Sequence, residues 1–356
     1  MSADRFARHA ATTRRARVGV VGLGRVGVVH AESLAASFRA ELACIVDQRE
    51  AHAGALAQRL GCESSTRYMD LLEDPSVEAI VVAAPTDLHA QMIEDAARAG
   101  KHIFCEKPLA RDRDRSARAV AAAQAAGVLL QVGFHRRFDP DWLNAHARVA
   151  RGELGDVYLL RTSLRERIPP TLEHLESAGD FFADVTIHDL DCARWLVGDV
   201  AEVAAHTATL SDAELARRGH LDHALVFLRF ATGALGVIDN SRTARYGYEC
   251  ATELVGSRAS VRIGSNQHRH NVQWLTEGAV TTDHVTEFPE RFAEAYRAEM
   301  AHFVEAVRAG AAVAVTGADA LAAEQLAALA SRSAALGRPV TIDEAPPPTA
   351  VKPEAT

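Results

Sequence analysis

A glycine-rich turn between a short apolar run and a helical stretch constrains the fold of this chain most strongly. The turn is Gly22-Leu-Gly24-Arg-Val-Gly27, which follows Val18–Val21 and leads into a helical stretch from His30. In such a turn the first glycine permits the tight bend, the second lets the backbone approach a pyrophosphate, and the third allows close helix–strand packing. The helix N-terminus then offers amide donors to the phosphates. The pattern predicts a dinucleotide-binding βαβ unit, with cofactor-binding residues Gly22, Gly24, Arg25, Val26 and Gly27.

The first part of the chain alternates short apolar runs with amphipathic helical stretches. Continuous Val/Ile/Leu strands separated by helices are typical of a parallel sheet that is covered on both faces. We therefore expect an α/β fold that begins with a doubly wound Rossmann domain over residues 17–135, after a disordered tail at 1–16. The predicted strands are Val18–Val21, Glu41–Val46, Ala79–Ala83, His102–Cys105 and Val128–Val132, and the predicted helices are His30–Phe38, Ala51–Leu60, Leu88–Ala99 and Ser116–Ala126.

After Phe138 the pattern changes to strands joined by short turns. Turn signals at 231–233, 256–257 and 277–278 each lie between two apolar runs, and successive hairpins of this kind indicate a mostly antiparallel sheet. We expect a C-terminal α+β domain over 136–344 for substrate binding and oligomerisation, and a disordered Pro-rich tail at 345–356. The predicted strands are Val157–Arg165, His223–Phe230, Ala234–Asn240, Glu249–Val255, Ser260–Ile263, Val272–Thr276 and Val280–Val285, and the predicted helices are Trp142–Arg151, Glu290–Arg308 and Ala318–Leu336.

Length and charge exclude several classes of protein. A chain of 356 residues is too long for one typical core, so two domains are expected. The net charge of −8 argues against nucleic acid or an acidic membrane surface as a partner. No run of about 18 uncharged apolar residues occurs, so no transmembrane helix is expected.

The cysteines and an N-terminal arginine pair bear on where the protein works. Arg14-Arg15 before an apolar run resembles a twin-arginine export signal, but the run is short, Arg25 interrupts it, and it doubles as the first strand and glycine turn. The cysteines form no Cys-x-x-Cys pair, which favours free thiols in a reducing cytoplasm. We therefore expect a cytoplasmic protein. The cysteines are Cys44, Cys62, Cys105, Cys192 and Cys250.

An acidic residue stands where a dinucleotide fold needs one. Asp47 ends the strand Glu41–Val46, twenty residues after Gly27. A carboxylate there accepts both ribose hydroxyls of NAD and repels the 2′-phosphate of NADP. Arg25 is a cation that would assist a ribose phosphate, but pairing with Asp47 or with the pyrophosphate also accounts for it. NAD is the expected cofactor.

Two further motifs follow predicted strands at the same sheet edge, where open parallel sheets bind ligands. Thr86 follows Ala79–Ala83 and is a candidate contact to the nicotinamide ribose, whereas His89 is expected to pack at the start of its helix. Glu106 and Lys107 follow the strand His102–Cys105. A lysine there can hydrogen-bond a substrate hydroxyl and bias a neighbouring acid–base group by its charge; the alternative is an ordinary surface lysine.

Asp184 and His188 form the candidate acid–base pair. They are four residues apart, so a helix from about Thr186 to Val197 would place both on one face, one turn apart. Histidine is the natural proton acceptor near neutral pH, and a carboxylate can orient it. Asp189 and Asp191 are expected to be solvated acids rather than supporting partners. These residue types also bind metals, but no further ligand or metal-binding motif accompanies them, so no metal is expected.

With these motifs the chain resembles the glucose–fructose oxidoreductase/inositol dehydrogenase (Gfo/Idh/MocA) family over nearly its whole length, most closely the inositol-dehydrogenase branch. The glycine turn and Glu106-Lys-Pro108 are typical of the superfamily, and the others are more specific to the branch. The motifs are Gly22-Leu-Gly-Arg-Val-Gly27, Glu106-Lys-Pro108, Gly133-Phe-His-Arg-Arg-Phe-Asp139, Asp184-Val-Thr-Ile-His-Asp-Leu-Asp191 with Trp195-Leu-Val after it, and Arg245-Tyr-Gly-Tyr-Glu249.

The resemblance implies roles for particular residues. Lys107, Asp184 and His188 match the family's catalytic set, and Glu106 and Lys107 fall among the cofactor-binding positions. The second-domain sheet is implied to mediate assembly into a homotetramer or homodimer. The residues implied to bind the substrate, besides Asp184 and His188, are His135, Arg136, Tyr246 and Tyr248.

The chain also departs from the branch. His135 stands where inositol dehydrogenases tend to have an apolar residue, and the segment 165–174 differs from the usual one. Arg165 or Arg167 would suit a carboxylated or phosphorylated sugar, although solvated charge is the simpler interpretation.

The first hypothesis is an NAD-dependent dehydrogenase that oxidises a ring hydroxyl of a cyclic polyol, myo-inositol or a related cyclitol, to a ketone. The alternatives are the same chemistry on an aldose, anhydrosugar, aminocyclitol or nucleotide sugar, a regulator that binds NAD and a sugar without turnover, and an enzyme that retains tightly bound NAD for an internal redox cycle.

Overall fold

The chain divides into two compact units. The first contains the residues up to His135 together with Glu294–Leu321, and the second contains Arg136–Ala293 and most of the chain after Leu321. The computed structural model describes residues 14–344 apart from 168–169, 173–174, 177–178, 265–267 and 277–278, and it describes the backbone alone for 268–276 and 279–282. Residues 1–13 of the expected N-terminal tail and all of the expected C-terminal tail lie outside the described residues.

A six-stranded parallel sheet forms the centre of the first unit, in the order β3-β2-β1-β4-β5-β6. All four residues of β4 are buried, as expected for a strand covered on both faces. The strand order reverses between β1 and β4, which makes the carboxyl edge there the place where such sheets bind ligands. The predicted Rossmann fold is confirmed. The strands are β1 Ala16–Val21, β2 Ala40–Val46, β3 Glu63–Ser65, β4 Ala79–Val82, β5 His102–Cys105 and β6 Leu130–Val132.

The helices of the first unit pack their apolar faces against this sheet. One of them comes from late in the chain: Met300, Phe303 and Val304 of Ala293–Ala309 lie in the same buried cluster as Val18 and Leu34. The sequence pattern alone assigns that stretch to the second domain, and the buried cluster places it in the first unit instead. The helices are Arg25–Ala35, Glu50–Leu60, Met69–Glu73, Thr86–Arg98, Arg113–Ala125 and Ala293–Ala309.

A seven-stranded sheet forms the centre of the second unit, in the order β12-β11-β7-β10-β9-β8-β15. Its pairs are antiparallel except for β7 and β10, so the predicted mostly antiparallel sheet is confirmed. β13 and β14 pair with each other, and the predicted turn between them falls on residues outside the described set. The strands are β7 Val157–Arg165, β8 Val200–Ala208, β9 His223–Phe230, β10 Leu235–Ser241, β11 Glu249–Gly256, β12 Ser260–Ile263, β13 His268–Thr276, β14 Ala279–His284 and β15 Val340–Thr341.

The remaining described helices belong wholly or mainly to the second unit. A π-helical turn, Phe182–Thr186, runs directly into the α-helix Ile187–Val197, so the helical backbone begins earlier than the predicted start near Thr186. No helix among the described residues is long and apolar enough to cross a membrane. The α-helices are Pro140–Ala150, Ile187–Val197, Ala213–Arg217, Phe288–Arg291 and Gly317–Leu336.

Candidate functional site

The glycine turn has the backbone that a dinucleotide-binding loop requires. Gly22 has φ +88°, and a Cβ there would lie 2.5 Å from the Ala83 carbonyl oxygen. A Cβ at Gly27 would lie 1.9 Å from the Gly22 carbonyl oxygen, so only glycine lets the helix pack against the turn. No atom lies within 4 Å of the Cβ position at Gly24, and this leaves room for a pyrophosphate at the start of the helix. The loop therefore fits a dinucleotide.

Asp47 lies beside this turn, at the end of β2. Its Oδ2 accepts a hydrogen bond from the Leu23 amide at 2.8 Å, and its two oxygens pair with Arg49 Nε and Nη2 at 2.9 and 3.0 Å. These hydrogen bonds, chiefly that of Arg49, hold the pKa of Asp47 well below its ordinary value. The site thus presents a fixed anion, with a largely exposed guanidinium next to it. No motif in the sequence singles out Arg49.

A second pair of loops lies at the carboxyl edge of β4 and β5. Thr86 begins the helix that follows β4. His89 is buried, as predicted, and its Nδ1 and Nε2 lie 2.8 and 2.7 Å from the carbonyl oxygens of Pro108 and Ala84. Burial lowers the pKa of His89 and favours the neutral ring, which donates from one nitrogen only. His89 therefore packs between the loop before Thr86 and the turn that carries Lys107 and donates to one of the two carbonyls.

Lys107 and Glu106 occupy a backbone-anchored turn directly after β5. The Glu106 amide donates to the Val82 carbonyl at 2.9 Å, and the peptide bond between Lys107 and Pro108 is cis. The Glu106 carboxylate accepts a hydrogen bond from His30 Nε2 at 2.7 Å if that nitrogen carries the proton. The predicted cofactor residues of the first unit therefore lie along one sheet edge. They are Gly22, Gly24, Arg25, Val26, Gly27, Asp47, Thr86, Glu106 and Lys107.

The candidate acid–base pair lies on one continuous helical segment of the second unit. Asp184 is in the π-helical turn and His188 is in the first turn of the α-helix, and both side chains are partly exposed. π-Turns inside helices occur frequently at functional sites. This segment carries a carboxylate and an imidazole four residues apart.

Arg242 is a partner of Asp184 that sequence reasoning missed. Its Nη2 donates to Asp184 Oδ2 at 2.9 Å, and its guanidinium lies 5.1 Å from the centre of the Phe181 ring. Because Arg242 is only 2% exposed, the pair is shielded from water on the arginine side. Arg242 follows the last residue of β10, and no motif distinguishes it from other arginines.

Asp189 and Asp191 are not solvated, which corrects the prediction from the sequence. Asp189 is fully buried and accepts from Arg136 Nη1 at 2.6 Å, from Thr162 at 3.0 Å and from Asn240 at 2.8 Å. Asp191 is 2% exposed and pairs with Arg137 at 2.5 and 2.9 Å. The helix that carries His188 is therefore anchored by two buried ion pairs.

The residues implied to bind the substrate have different exposures. His135 is buried in the first unit and stacks on Tyr296 with ring centres 4.6 Å apart. Arg136 and Tyr248 are buried in the second unit, whereas Tyr246 is 54% exposed and donates to Glu249 at 2.5 Å. Arg165 is part of an ion network with Asp239 and Glu249 rather than a solvated charge.

Comparison with known proteins matches both halves of the chain to one family. Residues 16–134 match the Gfo/Idh/MocA model described as an oxidoreductase family with an NAD-binding Rossmann fold. Residues 146–342 match its C-terminal alpha/beta domain.

Relatives with high similarity cover nearly the whole chain. A myo-inositol 2-dehydrogenase from Thermotoga maritima is 38% identical, over 92% of this chain and 99% of its own. An NAD-dependent scyllo-inositol 2-dehydrogenase from Bacillus subtilis is 37% identical, over 92% and 96%. The crystal structure of scyllo-inositol dehydrogenase from Lactobacillus casei with NAD(H) and scyllo-inositol is 27% identical, with a TM-score of 0.87 over 93% of this chain and 100% of that one.

Proposed function

Because the chain belongs to the Gfo/Idh/MocA oxidoreductase family and carries its NAD-binding Rossmann domain, we propose that it oxidises a ring hydroxyl of a cyclic polyol, myo-inositol or a close relative, to the ketone. The observation that carries the proposal is the placement of Asp184 and His188 on one helical segment, with Asp184 held by buried Arg242. The relatives named as inositol 2-dehydrogenases support the substrate class.

In the proposed mechanism the protein moves one proton and orients one hydroxyl. Bound NAD supplies the hydride acceptor. His188 takes the hydroxyl proton at a ring nitrogen, Asp184 orients His188 or a neighbouring hydroxyl, and Lys107 polarises the reacting oxygen. Since Arg242 holds Asp184 at 2.9 Å, that carboxylate is oriented before substrate arrives.

The substrate-binding residues are proposed in two groups. Tyr246 is exposed and offers a ring face and a hydroxyl, both of which suit a cyclic polyol. His135, Arg136 and Tyr248 are buried, so their proposed role is to support the residues that contact the polyol. Replacing His135 is therefore expected to change the preference among polyols rather than the reaction itself.

The assay that tests this proposal follows formation of reduced cofactor by initial-rate absorbance. Purified protein is given myo-, scyllo- or D-chiro-inositol, glucose, xylose or levoglucosan, each with NAD and with NADP. Turnover of an inositol with NAD supports the proposal, and turnover of another sugar alone would replace the substrate while keeping the chemistry. No turnover, with NAD that remains bound through purification, would favour an internal redox cycle.

Asp47 is expected to decide between the two cofactors. The Asp47→Ser variant should raise kcat/KM with NADP relative to NAD about 10–100-fold, because it removes the anion that repels a 2′-phosphate and releases the Arg49 guanidinium to bind one. The ratio is measured with the substrate that the panel identifies. The double variant Asp47→Ser/Arg49→Ala is the matched control, and it should lose most of the gain. An unchanged ratio in Asp47→Ser would mean that this carboxylate does not face the ribose.

We also propose that the outer face of the seven-stranded sheet mediates assembly into a homotetramer or homodimer. Leu225, Phe227 and Leu235 are each 45–48% exposed, and the strand register places Phe227 opposite Val237 and Leu235 opposite Leu159 on this same face. These apolar side chains lie among Arg161, Arg229 and Asp239 on the same face. An exposed face with several large apolar side chains is typical of an interaction surface, and a second copy of the sheet is its proposed occupant.

The Phe227→Lys variant should therefore shift the protein toward monomer in light scattering coupled to size exclusion, because it replaces an exposed aromatic ring of this face with a charge. Phe38→Lys is the matched control, since Phe38 is 82% exposed in the first unit. An unchanged mass for Phe227→Lys would remove this face as the interface.

We also propose the cytoplasm as the compartment, and the free cysteines of the described chain are consistent with it.

A further inference from the structure

Three titratable side chains form a buried cluster behind the turn that carries Lys107. They are His30 on Arg25–Ala35, Glu106 after β5 and Glu299 on Ala293–Ala309, all in the first unit. One nitrogen and two carboxylate oxygens of the three lie within 4.8 Å of one another. His30 and Glu299 are inaccessible to solvent, and the Glu106 side chain is 13% exposed.

The surroundings of His30 indicate which of its ring nitrogens carries the proton. His30 Nε2 lies 2.7 Å from Glu106 Oε1, whereas His30 Nδ1 is buried without a hydrogen-bond partner. A proton on Nδ1 would leave an unsatisfied donor, so the single ring proton belongs on Nε2. His30 then donates from Nε2 to the Glu106 carboxylate. The rings of Phe104 and Tyr296 flank the imidazole at 4.9 and 5.7 Å between centres.

Glu299 is the member without a compensating partner. Both of its carboxyl oxygens are buried with no hydrogen-bond partner, and Gln131 Nε2 of β6 donates to its backbone carbonyl at 3.2 Å. Among the described residues, the titratable groups beside it are His30 from the helix and Glu106 from the turn, and neither forms a hydrogen bond with its carboxyl oxygens. Burial and the charge of Glu106 both raise the pKa of Glu299 well above its ordinary value.

We propose that Glu299 is a buried proton-binding site: it holds its carboxyl proton at neutral pH, so that the cluster of Glu299, Glu106 and His30 carries one negative charge. The charge then stays on Glu106, whose carboxylate is confined by His30 and by Gly133, where a Cβ would lie 2.9 Å from that carboxylate. The cluster thereby positions the turn of Lys107. Only this last consequence rests on the proposed function.

A divalent cation would also suit one imidazole and two carboxylates, but two observations favour the proton. A proton between His30 Nε2 and Glu106 Oε1, which lie 2.7 Å apart, satisfies both of the atoms that a metal would take. A metal-binding histidine usually donates its other N–H to an acceptor, and His30 Nδ1 has none.

The test compares the stability of wild type and Glu299→Gln by reversible denaturant unfolding from about pH 5.5 to 7.5. A group whose pKa is raised by folding keeps its proton in the folded state and loses it in the unfolded state, so wild type becomes less stable as pH rises above the ordinary glutamate pKa. The neutral amide has no such loss. The folding equilibrium constant of Glu299→Gln relative to wild type should therefore rise about tenfold per pH unit until the folded-state pKa is reached.

Glu305→Gln on the same helix is the matched control. Hydrogen bonding to Arg39 lowers the pKa of Glu305, so its effect should not grow over this pH range. A ratio for Glu299→Gln that stays constant with pH would mean that Glu299 is ionised in the folded protein, and it would overturn the proposal.

Infrared spectroscopy of the wild-type protein tests the same proton without relying on unfolding. The carbonyl stretch of a protonated carboxyl group should be present at pH 7 and absent from Glu299→Gln. The absence of this band from wild type would mean that Glu299 is ionised. One equivalent of divalent metal retained by purified protein would mean that the cluster binds a cation. Either result would overturn the proposal. Neither measurement uses turnover, so an inactive protein on inositols would leave this result standing.

Discussion

The His188→Ala variant is expected to lose roughly 10²–10⁴-fold in kcat, the range typical of removing a general base. NAD binding should change little, because the glycine turn, Asp47 and Thr86 that are proposed to hold the cofactor belong to the first unit, whereas His188 lies in the second. Single-turnover rates and calorimetric titration with NAD separate the two effects. A loss in kcat with an unchanged Kd for NAD identifies a group that acts in the chemical step.

His146→Ala is the matched control for that experiment. His146 belongs to the second unit as well, but it stacks on Trp195 at 4.2 Å and has no assigned role in proton transfer. Its variant should keep kcat close to the wild-type value. Full activity in His188→Ala would remove the proposed proton acceptor, and equal losses in both variants would point to general damage to the second unit.

The loss of kcat in His188→Ala should be large because the held carboxylate of Asp184 cannot replace the imidazole. Removing His188 leaves the Arg242–Asp184 pair in place, so the site keeps an oriented carboxylate but no imidazole to take the proton. A carboxylate is a much weaker base than imidazole near neutral pH. Water or Asp184 would therefore replace His188 only inefficiently.

Local patterns were sufficient to predict most of the strands and the sheet edge at which the candidate cofactor residues lie. β7, β9 and β12 have the predicted bounds, and the glycine turn and Asp47 lie at one sheet edge because parallel strands bring their carboxyl ends together. β3, β8 and the two-residue β15 were missed. Glu63–Ser65 is short and polar, and the many alanines of Val200–Ala208 weaken its strand pattern.

The contacts that sequence reasoning missed join residues far apart in the chain. Arg242 pairs with Asp184 across 58 positions, and Arg136 pairs with Asp189 across 53. A charged residue is solvated by default, and only the fold reveals that a partner meets it in the interior. The segment Glu294–Leu321 joins the first unit for a similar reason, since its apolar face alone does not say which core it completes.

The second large effect is expected from Asp189, on stability rather than on chemistry. The Asp189→Ala variant should lower the free energy of unfolding by about 3–5 kcal/mol, because it leaves the guanidinium of Arg136 charged and buried without its anion. It also removes the acceptor for Thr162 on β7 and Asn240 on β10, which fasten the helix of His188 to the sheet. Denaturant unfolding at neutral pH measures the loss.

Two control variants test whether the loss of stability comes from the burial of the ion pair. Asp199→Ala breaks an ion pair with Arg194 whose acidic side chain is 76% exposed, so it should cost at most about 1 kcal/mol. The double variant Arg136→Met/Asp189→Leu removes both charges at once, and it should recover much of the stability lost in Asp189→Ala, since no unpaired charge remains. If Asp189→Ala cost no more than Asp199→Ala, the buried pair would not be what anchors the helix beneath His188, and the orientation of the acid–base pair would have to come from Arg242 and Asp184 alone.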